Sequence, residues 1–261
     1  MLLKSKIAVI YGAGGSIGGA VAVAFAREGA MVFLAGRTLA GLERVTKEIA
    51  DAGGMAHTAQ VDAFDAQAVD KYVNAVVEQA GCIDVSFNAI EIADSIQGTP
   101  LTELTPEAVS QPVMHRVATN FLTARAAARH MVKKGAGVIL MITATPARMA
   151  WPLTGSFGIE GAAIEGLCRS LASELSPQGV RVICLRSAGS PESFPEDPTG
   201  GSLSMTRAEI TEMISEKTLL KRAPTLAEVG NVAALMASDY ASPMTGTVAN
   251  MTCGSIVDSS S

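Results

Sequence analysis

The sequence predicts an α/β fold: a doubly wound parallel sheet of about seven strands with helices on both faces. Three observations predict it. Short apolar runs alternate with longer segments of helical periodicity along the whole chain. A glycine-rich turn, Gly12-Ala13-Gly14-Gly15-Ser16-Ile17-Gly18, follows the first apolar run at once. Hydrophobic residues make up 48% of the 261 residues and aromatic ones only 4%, a mix that suits strands buried on both faces beneath closely packed helices.

Taken in order, the strands are expected at 6–11, 31–36, 55–60, 83–88, 137–143, 180–185 and 247–251. Helices are expected at 16–28, 39–52, 66–79, 106–133, 155–175 and 226–237, with a short one at 206–216. Strand-helix alternation of this kind implies right-handed crossovers and a parallel sheet. Several helix starts carry their own signals. Thr105-Pro106-Glu107 offers an N-cap with proline in the first turn, and Thr206 with Glu209 and Thr225 with Glu228 have capping-box spacing. The stretch Ser187 to Gly201, SAGSPESFPEDPTGG, breaks the rhythm. With the short helix it forms a lid-like insertion around 187–216, expected to be mobile without ligand and ordered when the site is filled. The length suits one domain over 1–261.

Composition excludes several function classes. A formal charge of −5 and a pI near 5.3 argue against nucleic acid, whose phosphates need a basic face. No window is apolar enough for a membrane span, and the lysine-interrupted N-terminus lacks the form of a secretory signal, so a cytoplasmic location is expected. Cys82, Cys168, Cys184 and Cys253 are scattered without metal-ligand spacing and read as reduced core thiols.

The glycine turn is where chemistry enters. Between a buried strand and a helix, glycines let the backbone turn sharply and approach a pyrophosphate, whose charge then sits at a helix N-terminus. Gly12, Gly14, Gly15, Ser16, Ile17 and Gly18 are therefore candidate dinucleotide contacts in a Rossmann-type fold. The second strand ends Ala35-Gly36-Arg37 with no acid at its tip. A carboxylate there would accept from the ribose 2′-hydroxyl of NAD, whereas arginine suits a 2′-phosphate. Arg37 thus favours NADP, with NAD as the alternative.

On these residues the chain resembles the short-chain dehydrogenases/reductases. The glycine string looks like that family's fingerprint, with Tyr11 in place of its threonine and Ser16 in place of its middle glycine. Asp62 matches the family's adenine-contacting aspartate. Asn88 and Ala89 match the middle of its NNAG segment, Asn120 its helix-four asparagine, and Met244-Thr245-Gly246-Thr247 its C-terminal segment. The resemblance implies a tyrosine acting as general acid/base, a lysine one helical turn later that lowers its pKa, and a serine in the preceding strand. The flanks GAAIEGL and RSLASEL set the register, and it puts Phe157, Gly161 and Ala144 at those three positions. None can move a proton or hold a ribose. Tyrosine occurs only at 11, 72 and 240.

Few other residues in this region offer a substitute group. Thr143 and Thr145 flank the serine position, but alternation along a strand aims both away from where residue 144 points. Glu160 points about 100° from residue 161 on a helix. Arg148 in the following loop suits an anionic substrate, and His115 precedes Asn120 on helix four. Two readings stay open. One is an NAD(P)-dependent oxidoreductase with a non-standard active site, transferring hydride without the tyrosine-lysine relay. The other is a catalytically silent pseudoenzyme that binds a dinucleotide as sensor, scaffold or partner subunit. Small residues along 155–175 and the family's habits imply a homo-oligomer, dimer or tetramer.

Overall fold

The computed structural model describes residues 1–194, 196 and 205–257. Seven strands form one parallel sheet: β1 (Ile7–Tyr11), β2 (Met31–Gly36), β3 (Met55–Gln60), β4 (Val85–Asn88), β5 (Gly137–Ala144), β6 (Val180–Ser187) and β7 (Thr247–Met251). Their order is β3-β2-β1-β4-β5-β6-β7, with Tyr11 beside Asn88 and Ala144 beside Ser187. The helices are α1 (Ser16–Arg27), α2 (Leu39–Asp51), α3 (Ala66–Ala80), α4 (Pro106–Lys134), α5 (Phe157–Leu175), α6 (Arg207–Glu216) and α7 (Leu226–Ala237).

Alternating strand residues serve the two faces. Ala8, Ile10, Leu34, Phe87, Leu140 and Leu185 pack against α1, α2 and α7. Val9, Tyr11, Phe33, Met141 and Cys184 pack against α3, α4 and α5. The predicted caps form: Thr105 Oγ1 accepts from Ala108 N, and both capping boxes are closed. Among the described residues no helix is long and apolar enough to cross a membrane.

Several boundaries differ from expectation for local reasons. The fifth helix starts at Phe157, not at 155, because Gly155 sits at φ +53° in the left-handed region. β4 begins two residues later than predicted, and β6 runs on through Ser187, so the insertion starts at 188. Within that insertion α6 is pinned by Ile210 and Ile214, packed with Ala223, Phe194 and Met205. Arg207 also donates twice to the Phe194 carbonyl. Residues 195 and 197–204 of the predicted lid lie outside the described residues. Of the cysteines, Cys168 and Cys184 are core, and burial pushes the Cys168 thiol up to about 11 and raises that of Cys184. Cys82 and Cys253 are only half-buried, which corrects their reading as core thiols.

Candidate active site and dinucleotide cleft

β1 leads through α1 to β2 on one side, while β4 lies on the other, so the chain order reverses between β1 and β4. Ligands bind outside the carboxyl ends of the strands at such a switch point. The glycine turn and the Asn88–Ala89 turn meet there. Gly12 has φ +72°, and a Cβ on it would stand 2.6 Å from the Ala89 carbonyl oxygen. A Cβ on Gly18 would stand 2.2 Å from the Gly12 carbonyl oxygen. Gly14 lies against Gly41 in the first turn of α2, where a Cβ would stand 3.2 Å from the Gly41 carbonyl carbon, tight but less so than at Gly12 or Gly18. Gly15 caps α1 in extended conformation, with no side chain among the described residues bonded to the first-turn amides around Ser16 and Ile17. Those amides, with the positive end of the helix dipole, are what an anionic group would meet.

Asn88 is buried and turned into the protein. Its Nδ2 donates to Thr119 O at 3.2 Å and Thr123 Oγ1 at 3.0 Å, while its Oδ1 accepts from Ile90 N at 3.0 Å. The side chain shapes the turn after β4, leaving backbone to face the cleft.

At the tip of β2, exposed Arg37 opens onto a cleft of about 280 Å³ that it lines with Phe64, Glu91, Ile92, Asp94 and His115. Among the described residues no carboxylate lies within ion-pair distance of Arg37. Asp62 Oδ1 accepts from Phe64 N at 3.0 Å, which sets the Phe64 ring at the cleft. His115 turns to this same end. Its Nδ1 lies 2.9 Å from Asp94 Oδ2, and its ring meets the edge of Phe64 at 5.1 Å.

The start of α5 is packed differently. A Cβ on Gly161 would stand 2.8 Å from the Ala147 Cβ, and one on Gly158 2.9 Å from the Pro146 carbonyl oxygen. Gly155 lies against the Ile96 carbonyl, and Gly98 N donates to Leu153 O at 2.8 Å. The β4–α4 and β5–α5 loops are therefore in direct contact. Half-buried Phe157 begins the helix beside them.

Thr143 is buried and donates to Glu165 Oε1 at 3.1 Å, and Thr145 is buried at the start of a short turn. Arg148 is exposed after that turn. Asn120 donates from Nδ2 to Arg116 O at 2.9 Å, while its buried Oδ1 has no partner among the described residues. The Oγ of Ser190, beyond β6, is buried and unpartnered in the same way.

The tyrosines lie elsewhere. Tyr11 and Tyr72 meet edge-to-face at 6.0 Å inside the α3 layer, where burial raises both hydroxyls above their ordinary range. Tyr240 is exposed next to Asp239, which pairs with Lys6 ahead of β1, at the opposite end of the sheet.

Two buried carboxylates were not foreseen. Glu165 takes Arg186 in a bidentate pair, both bonds 2.8 Å. Glu160 is 1% exposed and accepts from Ser95 Oγ at 2.5 Å, Ser156 Oγ at 2.8 Å and Arg116 Nε at 3.2 Å. The available signal was two acids within the otherwise Gly, Ala and apolar first half of α5, FGIEGAAIEGL.

These residues fit a dinucleotide. The cradle is too tight for side chains, and the free first-turn amides suit a pyrophosphate. Arg37 is an uncommitted cation at one end, and the orphaned atoms of Asn120 and Ser190 are polar groups awaiting a partner.

Residues 12–255 match the family model described as enoyl-(acyl carrier protein) reductase. An enoyl-[acyl-carrier-protein] reductase (NADH) from Synechocystis sp. is 31% identical over 188 residues, covering 72% of this chain and 70% of that protein. A short-chain type dehydrogenase/reductase from Mycobacterium marinum, a solved structure, is 27% identical with a TM-score of 0.83, covering 97% of this chain and 96% of the other. Carveol dehydrogenase from Mycobacterium avium, solved in complex with NAD, shares the fold at 22% identity and a TM-score of 0.85, covering 97% and 98%. With the family model spanning nearly its whole length, the chain belongs to the short-chain dehydrogenase/reductase family of oxidoreductases, under the enoyl-(acyl carrier protein) reductase description.

Proposed function

We propose that the protein is an NADP(H)-binding oxidoreductase with a non-standard active site, in which hydride passes between nicotinamide and substrate without a tyrosine-lysine relay. The observation that carries this reading is the contrast between two parts of one cleft. The glycine cradle has no room for a methyl group at Gly12 or Gly18, while the space for a side chain at residue 161 is filled by Ala147. When bound, the nicotinamide supplies or accepts the hydride. The chain's own residues hold the dinucleotide at the Gly12–Gly18 turn, meet its ribose end with Arg37, and close the substrate end with the stapled loops before α5. A reduction whose proton comes from water, such as that of an activated C=C bond, needs no acid from Phe157. A panel of enones and simple ketones with NADPH tests this: enone turnover without ketone turnover is expected, and ketone turnover alone would refute it.

The second reading, a silent dinucleotide-binding pseudoenzyme, is favoured by the contact between the β4–α4 and β5–α5 loops, which narrows the substrate end. It predicts binding without turnover on either half of that panel.

Arg37 supports NADP over NAD, although the Synechocystis relative is named for NADH. A charge-assisted hydrogen bond to a 2′-phosphate is worth about 1.5–3 kcal/mol, or roughly tenfold to a hundredfold in affinity. Arg37→Asp is expected to lower NADPH affinity by that factor and to invert the preference, as read by calorimetry. A clear NADH preference in the parent protein would overturn the assignment.

Assembly as a dimer or tetramer rests on the outer faces of α4 and α5. Met114, Phe121 and Ile159 are exposed there beside small residues, and exposed apolar faces of this kind mark interfaces. Light scattering at micromolar concentration should report a dimer or larger, and a monomer would count against it.

A further inference from the structure

Glu160 is a carboxylate with almost no solvent, and its partners come from three elements around the cleft. Ser156 precedes α5, Arg116 lies on α4, and Ser95 belongs to the β4–α4 loop. Arg116 also donates from Nη1 to the Ile90 carbonyl at 2.8 Å. The loop so held carries Glu91, Ile92 and Asp94, which form one wall of the cleft that opens at Arg37. A buried charge is tolerated only when paired and hydrogen-bonded. This one spends its bonds on tying that wall to the helices rather than on any group facing the cleft.

We propose that Glu160 and Arg116 are positioning residues that hold the β4–α4 loop in its dinucleotide-binding shape. The inference rests on the dinucleotide-binding reading. Neither residue needs to touch the ligand; both act through the backbone of residues 90–95, as supporting groups do for a preorganised site.

Glu160→Gln tests it most gently. Glutamine keeps an oxygen for the two serines but sets an N–H donor against the Arg116 Nε–H. Calorimetry with NADPH should show affinity lowered by about tenfold, the scale of one unsatisfied buried polar group. Hydrogen exchange of amides 89–96 should speed up in the free protein. The double change Arg116→Met with Glu160→Met removes both charges, and is expected to regain thermal stability while NADPH binding is weak, because the ties to Ser95 and Ile90 are lost with the two polar groups. Val76→Ala, in the α3 core, supplies a comparable stability loss and should leave affinity unchanged.

Parent-like affinity in Glu160→Gln would overturn the proposal, and so would a double variant that regains affinity along with stability. If the parent binds no dinucleotide, the functional reading fails. The exchange measurement then decides the positioning role by itself: unaltered exchange of 89–96 in Glu160→Gln refutes it, and faster exchange upholds the hold on the loop.

Discussion

Gly18→Ala is expected to abolish measurable dinucleotide binding. The added methyl would stand 2.2 Å from the Gly12 carbonyl oxygen and 2.7 Å from its carbon, both backbone atoms. No flexible side chain can yield, so the turn itself has to move. Gly12 has little room to yield, since even a Cβ on it would stand 2.6 Å from the Ala89 carbonyl oxygen, and its φ is +72°. The first-turn amides of α1 would then be re-aimed, and the pyrophosphate loses its cradle. Overpacking of this kind costs about 1–3 kcal/mol in stability, so the protein should remain folded with a lowered Tm. Titration of the folded variant with NADPH checks this. Parent-like affinity would mean that the dinucleotide does not sit on this turn.

The attempt to rebuild the family's relay should fail in a specific way. Ala144→Ser and Phe157→Tyr each add a single oxygen at a half-buried position, but Gly161→Lys places a Cβ 2.8 Å from the Ala147 Cβ and 3.3 Å from its α-carbon. Replacing glycine inside α5 gains about 1 kcal/mol in helix propensity, while overpacking costs about 1–3 kcal/mol. The clash wins, and Gly161→Lys alone should lower stability. The triple variant should show no carbonyl reduction above the parent, because Ala147 keeps the new lysine out of place and a unit that lacks one member returns little. Adding Ala147→Gly removes the obstructing methyl, and only the quadruple variant should recover stability and turnover together. Ketone reduction by the triple variant, with Ala147 in place, would show that residue 161 has room after all.

Much of the fold was legible because each element obeys a local rule. The seven apolar runs became the seven strands, and the caps at Thr105, Thr206 and Thr225 formed where their side chains sit. The cradle was legible for a similar reason: its glycines answer to backbone geometry within one turn. What escaped depends on partners remote in sequence. Glu160 meets Ser95 and Arg116 from 65 and 44 residues away, and nothing in the spacing of α5 announces them. Asn88 lies in the turn that meets the cradle, yet its side chain serves Thr119 and Thr123 on α4. His115 was weighed as a stand-in acid near the chemistry. It instead faces Asp94 and Phe64 at the Arg37 end of the cleft, because its position on α4 turns it outward from Asn120. The start of α5 was missed by two residues, since a glycine inside a helical pattern does not reveal whether its φ will be positive.

We propose, then, a family member that keeps the dinucleotide cradle without the acid-base relay. A positioned general acid contributes about 10²–10⁴-fold, and Phe157, Gly161 and Ala144 hold no group that supplies it. The most direct measurement is turnover of simple ketones and aldehydes by the parent protein with NADPH, followed from pH 5 to 9 beside a binding titration. The account predicts saturable NADPH binding with carbonyl reduction at background across that range. Robust reduction with a pH profile that reports a working acid would contradict it, and Thr143, Thr145 and His115 would be the first residues to replace in finding the group responsible.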